Sequence, residues 1–219
     1  MSRDLEFIKQ DKDRWGKVYI DISYAVDNVA PFLSEKTLKI RKYYSKKDVL
    51  KKYINLLESA ESENTKSSFL KGLFGGNKYE TLLTSYKRDY SEDFDQLEKC
   101  SKCACLNCIK ECNFNTCLGC RRNSLIKKCD HEKINITYHD NFTLELTNNN
   151  NGRASKYKVL ATLQDCELQR QYIIIENLFD NNDKFILYYY PGISEDSYGE
   201  ITDSKEFDFV VETLESANL

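Results

Sequence analysis

The sequence predicts an α+β protein in three parts, and three observations carry that reading. Apolar residues recur at spacings of three and four through the first hundred positions, as on one face of a helix. Eight of the nine cysteines crowd into residues 99–132. After them the apolar period shortens to two, the alternation of strands with one buried face. The expected domains are a helical region (1–98) with a flexible loop near 60–77, a cysteine-rich module (99–132) and a small acidic β-rich domain (133–219) with a C-terminal helix.

In the first part, Trp15, Val18, Tyr19, Ile22, Val26 and Val29 form one apolar stripe that Pro31 ends. Ser45 followed by Asp48 reads as a variant capping box opening a second helix, with Val49, Leu50, Tyr53, Ile54 and Leu57 as its stripe. "AESENTKSSFLKGLFGGN" (60–77) breaks the pattern with serines and glycines. A third helix follows over 78–99, lined by Tyr79, Leu82, Leu83, Tyr86, Tyr90, Phe94 and Leu97.

The last part offers five strands, "KINITYHD", "NFTLELT", "KYKVLATL", "QYIIIEN" and "KFILYYYPG", parted by turn-rich "NNNNGR" and "FDNND". They form an antiparallel sheet. "TDSKEFDFVVETLESA" places a capping Asp203 or Ser204 before Phe207, Val210, Val211 and Leu214, a helix expected to close the sheet's open face.

Between these parts stand Cys100, Cys103, Cys105, Cys108, Cys112, Cys117, Cys120, Cys129 and His131, spaced C-x2-C-x-C-x2-C-x3-C-x4-C-x2-C-x8-C-x-H. A segment with so few long aliphatic residues cannot offset its chain entropy by burial, so cross-links must replace a core. Zinc does this with four thiolate or imidazole donors, and a C-x2-C doublet sets two sulfurs on one ion. Two ions are expected. One partition puts Cys100, Cys103, Cys117 and Cys120 on the first ion, and Cys105, Cys108, Cys112 with either Cys129 or His131 on the second; thiolates bridging three ions in a shared cluster are the alternative. The ferredoxin run C-x2-C-x2-C-x3-C-P is absent, which disfavours an iron–sulfur cluster. Disulfides are disfavoured in the reducing cytosol. The surplus of thiolates and lack of a free general base mark a structural site rather than a catalytic one. Cys166 stands alone and reads as a buried apolar side chain.

The formal charge of −3 hides an asymmetry: residues 1–131 hold 25 basic and 19 acidic groups, residues 132–219 hold 7 and 16. The most basic stretch, 36–53, carries Lys36, Lys39, Arg41, Lys42, Lys46, Lys47, Lys51 and Lys52 against one acid, interleaved with tyrosines. That mix suits phosphate contacts and base stacking, and equally a solvated helix face. Arg121, Arg122, Lys127 and Lys128 are further candidates for nucleic-acid contact, although basic groups beside eight thiolates also serve to balance them. No phosphate-binding glycine loop, G-x-S-x-G or H-E-x-x-H occurs, so no enzyme is expected. No stretch approaches the roughly 20 apolar residues of a membrane span, and the charged opening lacks the apolar middle of a secretory signal. The expected location is the cytoplasm.

From about residue 134 onward, "ITYHDNFTLELT", "YKVLATLQDCELQRQYIIIEN", "FILYYYPG" and "ITDSKEFDFVVETLES" resemble the YrzB-like family, small acidic bacterial domains of unknown function. The resemblance covers about two-fifths of the chain and implies a fold, with no catalytic residues. The whole layout resembles accessory proteins of phages and mobile elements, among them the directionality factors that bind serine integrases. The expected function is therefore a non-enzymatic zinc-binding accessory protein working through a protein partner, such as a DNA-acting enzyme, with direct nucleic-acid binding as the alternative.

Overall fold

The computed structural model describes residues 3–66, 78–112, 123–147 and 152–218. It is an α+β chain that divides into two compact units. One comprises residues 1–102 with 106–109, the other 103–105 with 110–219. The cysteine-rich segment is thus shared out between two units.

The helical unit is built from α1 (Arg3–Val29), a 3-10 turn (Ala30–Phe32), α2 (Glu35–Ile40), α3 (Lys42–Lys66), α4 (Lys78–Asp89) and α5 (Ser91–Cys100). The stripe on α1 is buried as its period demands, with Ile8, Trp15, Val18, Ile22, Ala25 and Val26 in the core. Facing them are Tyr53 and Leu57 of α3, Leu83 of α4, and Phe94 and Leu97 of α5. Phe94 centres an aromatic cluster, edge-on to Trp15 at 4.7 Å and to Tyr53 at 5.0 Å. Inside this core the Asp11 carboxylate accepts from the Tyr53 hydroxyl and from Lys87 Nζ at 3.0 Å. Burial, and the hydrogen bond to Asp11, push the Tyr53 hydroxyl far above its usual range.

Three helix boundaries differ from the sequence reading, one of them the end of the second helix, which runs on to Lys66 and so takes in 60–66 of the expected loop, whose residues 67–77 lie outside the described residues. The second helix starts at Lys42, and Ser45 lies within it, its hydroxyl donating back to the Lys42 carbonyl. The cap is Ser34 instead, whose Oγ accepts from Thr37 N at 3.2 Å and opens the short α2. Arg41 alone separates α2 from α3, with an extended ψ of 120°. Ser34→Ala should cost about 1 kcal/mol of stability, read as a lower urea midpoint at unchanged slope. The helix expected over 78–99 is likewise split, at Tyr90 (φ −115°, ψ 22°).

Among the described residues the sheet unit holds seven antiparallel strands: β1 (Ser124–Cys129), β2 (Ile134–His139), β3 (Thr143–Thr147), β4 (Ala154–Asp165), β5 (Arg170–Asn177), β6 (Asp180–Tyr190) and β7 (Ser197–Glu200). Their order is β1-β2-β4-β5-β6-β7. The long β4 pairs β2 through Ala161–Asp165 and β3 through Ala154–Lys158. β1 and β7 were not expected, because Ser124–Cys129 lies inside the cysteine segment and Ser197–Glu200 carries two polar residues and a glycine in four positions.

Helix α6 (Ser204–Glu215) closes one face, as expected, capped by Asp203, whose carboxylate accepts from Lys205 N and Glu206 N. Val210, Leu214 and the following Ala217 pack there on Ile136, Ala161, Leu163, Tyr172 and Ile174. The alternate residues Val159, Ile173, Ile175 and Tyr189 form a second buried cluster with Leu144, Leu146 and Tyr157. Apolar side chains therefore occupy both faces, which is why "QYIIIEN" reads as a continuous run rather than an alternation.

Candidate metal centre

In the helical unit, α5 ends on Cys100, buried, with Gln96 Nε2 donating to its sulfur at 3.7 Å. Leu106 is part of the same core, and Cys108 beside it is also buried. Cys108 is held through its backbone: Arg41 Nη1 donates to the Cys108 carbonyl at 2.8 Å and to the Tyr43 hydroxyl at 2.8 Å.

In the sheet unit, the 103–105 segment lies along β1, with Ala104 N donating to Ile126 O at 2.9 Å. A bulge follows, since Ile126 pairs Thr137 while Lys128 already pairs Ile136. The strand ends on Cys129. Asp130 then ties the turn: its Oδ1 accepts from the backbone N–H groups of Glu132, Lys133 and Ile134 at 2.7–2.9 Å, and its own N donates to Ile134 O. Partial burial pushes the Asp130 carboxyl up, yet these three donors outweigh it and hold the group below its usual range.

The turn bends through His131, a non-glycine residue at φ +68°. This bend aims the His131 N–H at Cys129 Sγ, 3.3 Å away, and leaves His131 Nδ1 3.5 Å from the same sulfur. Burial pushes the Cys129 thiol up, opposed by the His131 N–H and the Asn135 side chain, while nearby Cys112 adds repulsion. Lys110 and Glu132 form an exposed ion pair at 3.5 Å that links the segment carrying Cys112 to the same turn.

Chemically, the turn suits a metal thiolate. A backbone N–H is aimed at the sulfur and an imidazole nitrogen stands beside it, while burial outweighs that N–H and holds the thiol above its usual range. Among the described residues no group of three or more Cys, His, Asp or Glu side chains surrounds one point. Cys117 and Cys120, with Arg121 and Arg122, lie outside the described residues. Cys103 and Cys105 are half-buried, and Cys112 is exposed. Cys166 is half-buried in the β4–β5 turn, where its N donates to Lys133 O. His139 is buried, its Nε2 at 3.0 Å from the Thr162 hydroxyl, away from every cysteine of the motif in sequence.

The basic candidates are unequal. Lys36, Lys51 and Lys52 are exposed. Lys39 pairs with Glu35 at 2.6 Å and Lys46 with Asp93 at 3.3 Å. Lys42 is half-buried, and Lys47 lies over the Tyr44 ring at 5.6 Å. Arg41 departs most from the sequence reading, being buried at 6% exposure with its guanidinium directed to the Cys108 carbonyl. Lys127 covers the Tyr138 ring, and Lys128 donates to Ser216 Oγ at the end of α6.

Sequence reasoning also missed the clamp on Glu206 of α6. Its carboxylate accepts from the hydroxyls of Tyr172 (2.6 Å) and Tyr188 (2.8 Å) and from Arg170. The signal was faint, two tyrosines sixteen positions apart on strands that pair directly, as Tyr172 does with Tyr188.

No family model matches the chain, and neither the curated proteins nor the solved structures provide a match. No helix among the described residues is long and apolar enough to cross a membrane.

Proposed function

We propose that this protein is a non-enzymatic, zinc-binding accessory protein that acts through protein–protein contacts. The observation that carries the proposal is the Cys129–Lys133 turn, where a backbone N–H and an imidazole converge on one cysteine sulfur within a segment dense in further thiols. Zinc held by such donors staples a segment that has little apolar core of its own. Contact with a partner is supported by large apolar side chains left in solvent on the helical unit: Ile20, Tyr24, Phe32 and Ile40 are each more than 60% exposed. The more specific form of the proposal, a phage or mobile-element factor modulating a DNA-acting enzyme such as a serine integrase, is supported by the order of helical arm, cysteine segment and acidic domain along the sequence.

Elemental analysis of protein purified with and without oxygen tests the metal. About two zinc ions in a colourless chain are expected, and iron with visible absorbance overturns the reading. A second reading, direct nucleic-acid binding, is favoured by exposed Lys36, Lys51 and Lys52 on the basic stretch. With Lys39, Lys46 and Arg41 already engaged, at most about five phosphate contacts remain on this stretch, so its contribution to the slope of log K against log salt should be no steeper than about −4.5 on duplex DNA. Binding that does not weaken with salt removes this second reading.

A further inference from the structure

Helix α6 carries more apolar surface than the sheet takes up. Phe207, Val210, Val211 and Leu214 fall at i, i+3, i+4 and i+7, one continuous stripe, yet only Val210 and Leu214 are buried. Phe207 is 40% exposed and Val211 is half-buried. The direction of the helix explains this. Its first turn is tied to β5 and β6 through Glu206, and the Ala217 carbonyl beyond its last turn accepts from the Tyr138 hydroxyl of β2. α6 therefore runs across the strands and covers only part of their length.

Beside it the same sheet face continues. The pairs Tyr172–Tyr188, Ile174–Ile186 and Glu176–Lys184 succeed one another along β5 and β6 two residues apart, and so share that face. The first pair lies under α6. Ile174 and Ile186 line an open cleft of about 570 Å³, with Phe207 and Val211 as its helical wall, and Lys184 stands at its edge.

We propose, resting on the protein-contact reading above, that this cleft is the docking groove for an amphipathic helix of a protein partner, laid beside α6 and carrying basic residues along its polar edges. Two observations choose this occupant. Phe207 and Val211 stand at i and i+4, the ridge spacing against which a second helix packs, and Ile174 and Ile186 supply an apolar floor. Charge decides the edges. Lys184 is already paired with Glu176 at 3.3 Å, whereas Glu200 and Glu215 line the cleft without an ion pair among the described residues. The last turn of α6 holds no basic residue, so its outward carbonyls add to the negative field there. One engaged lysine against three carboxylates favours a cationic guest, and the same rim repels an anionic lipid surface.

The test uses the full-length chain and a fluorescently labelled synthetic helix of about 18 residues, beyond the length at which isolated helices are marginal. It carries leucines at i, i+3, i+4 and i+7 and lysines on both flanks, and a twin carries glutamates in place of the lysines. Anisotropy should show saturable binding of the lysine helix, at least about 10-fold tighter than its twin, with the gap narrowing as salt rises. Val211→Asp should abolish binding in a chain that still unfolds cooperatively. Glu200→Lys with Glu215→Lys, both at exposed positions, should reverse the preference between the two helices. A lysine helix that does not bind, equal affinity for both helices, or binding that survives Val211→Asp overturns the proposal. A cleft filled instead by a fluorescent fatty acid, or by a second copy of the chain in a dimer that Val211→Asp dissociates, overturns it as well. Zinc content of the same sample separates the two failures: a chain without zinc overturns the accessory reading whichever way the helix behaves, and a helix that does not bind leaves the zinc content unchanged.

Discussion

Glu206→Ala is expected to lower the stability of the sheet unit by about 3 kcal/mol, read as a lower midpoint in urea at unchanged slope. The carboxylate anchors the first turn of α6 to β5 and β6 through Tyr172, Tyr188 and Arg170. Most of the cost comes from Tyr172, which is fully buried and would keep a hydroxyl with its acceptor removed. Arg170 is half in water, so its ion pair adds less. Glu206→Gln should cost less than alanine, because one oxygen still accepts while the amide N–H₂ confronts another donor.

The same clamp sets a pH dependence. Burial pushes the Glu206 carboxyl up, but the bonds from Tyr172, Arg170 and Tyr188 pull it further down, below the ordinary value of 4.5. The folded state therefore favours the carboxylate. Its contribution is fully present above the ordinary carboxylate value and is lost as pH falls through that value towards the depressed one. Wild type should lose stability on acidification more steeply than Glu206→Gln, and equal slopes would show that another carboxylate governs the acid limb.

On the zinc reading proposed above, metal removal should have the largest effect. Structural zinc in small cysteine-rich segments contributes on the order of 10 kcal/mol of binding free energy, which is folding free energy where the bare segment has no core. On that reading, chelation of the full chain should raise hydrogen exchange in 101–105 and 109–112 to near-unprotected rates, while β1 keeps the protection of its pairing with β2. The central strands β4 and β5 should keep their protection, since Leu163, Tyr172, Ile173 and Ile175 are buried in clusters that contain no cysteine. Unchanged exchange in the cysteine segment would show that zinc does not hold it.

Much of this architecture was legible in the sequence where one face of an element is buried. The stripe from Trp15 to Val26 met a core on one face, whereas the alternation in "KYKVLATL" is broken by a bulge between Val159 and Ala161, which leaves Tyr157 and Val159 in one cluster and Ala161 and Leu163 in the other. Asp203 capped α6 because its carboxylate is the acceptor that two backbone N–H groups at a helix start require. Reading failed where tertiary contacts decide. Ser45 and Asp48 fit a capping pattern, but nothing local shows that Arg41, held inward by Cys108 and Tyr43, leaves only one residue between helices. β1 was hidden because Leu125 and Ile126 are its only aliphatic residues and it ends in a candidate ligand. At the candidate metal centre the cysteines and His131 were visible as residue types, but which of them approach one another was not. The 3.5 Å approach of Cys129 and His131 depends on a positive φ that a histidine rarely adopts and no spacing rule encodes.

The bond from Ala104 N to Ile126 O has a consequence for self-association. β1 ends the sheet's strand order on one side, and the 103–105 segment shields part of its open row of backbone donors and acceptors. The opposite margin, β7, is only four residues long and is flanked by Glu195, Asp196 and Asp203, a combination that repels a second copy. On the zinc reading proposed above, a chain stripped of metal would release the first shield while keeping the second, so its aggregates should grow strand to strand through β1, and Lys127 and Lys128 beside the bulge are the charges that slow them.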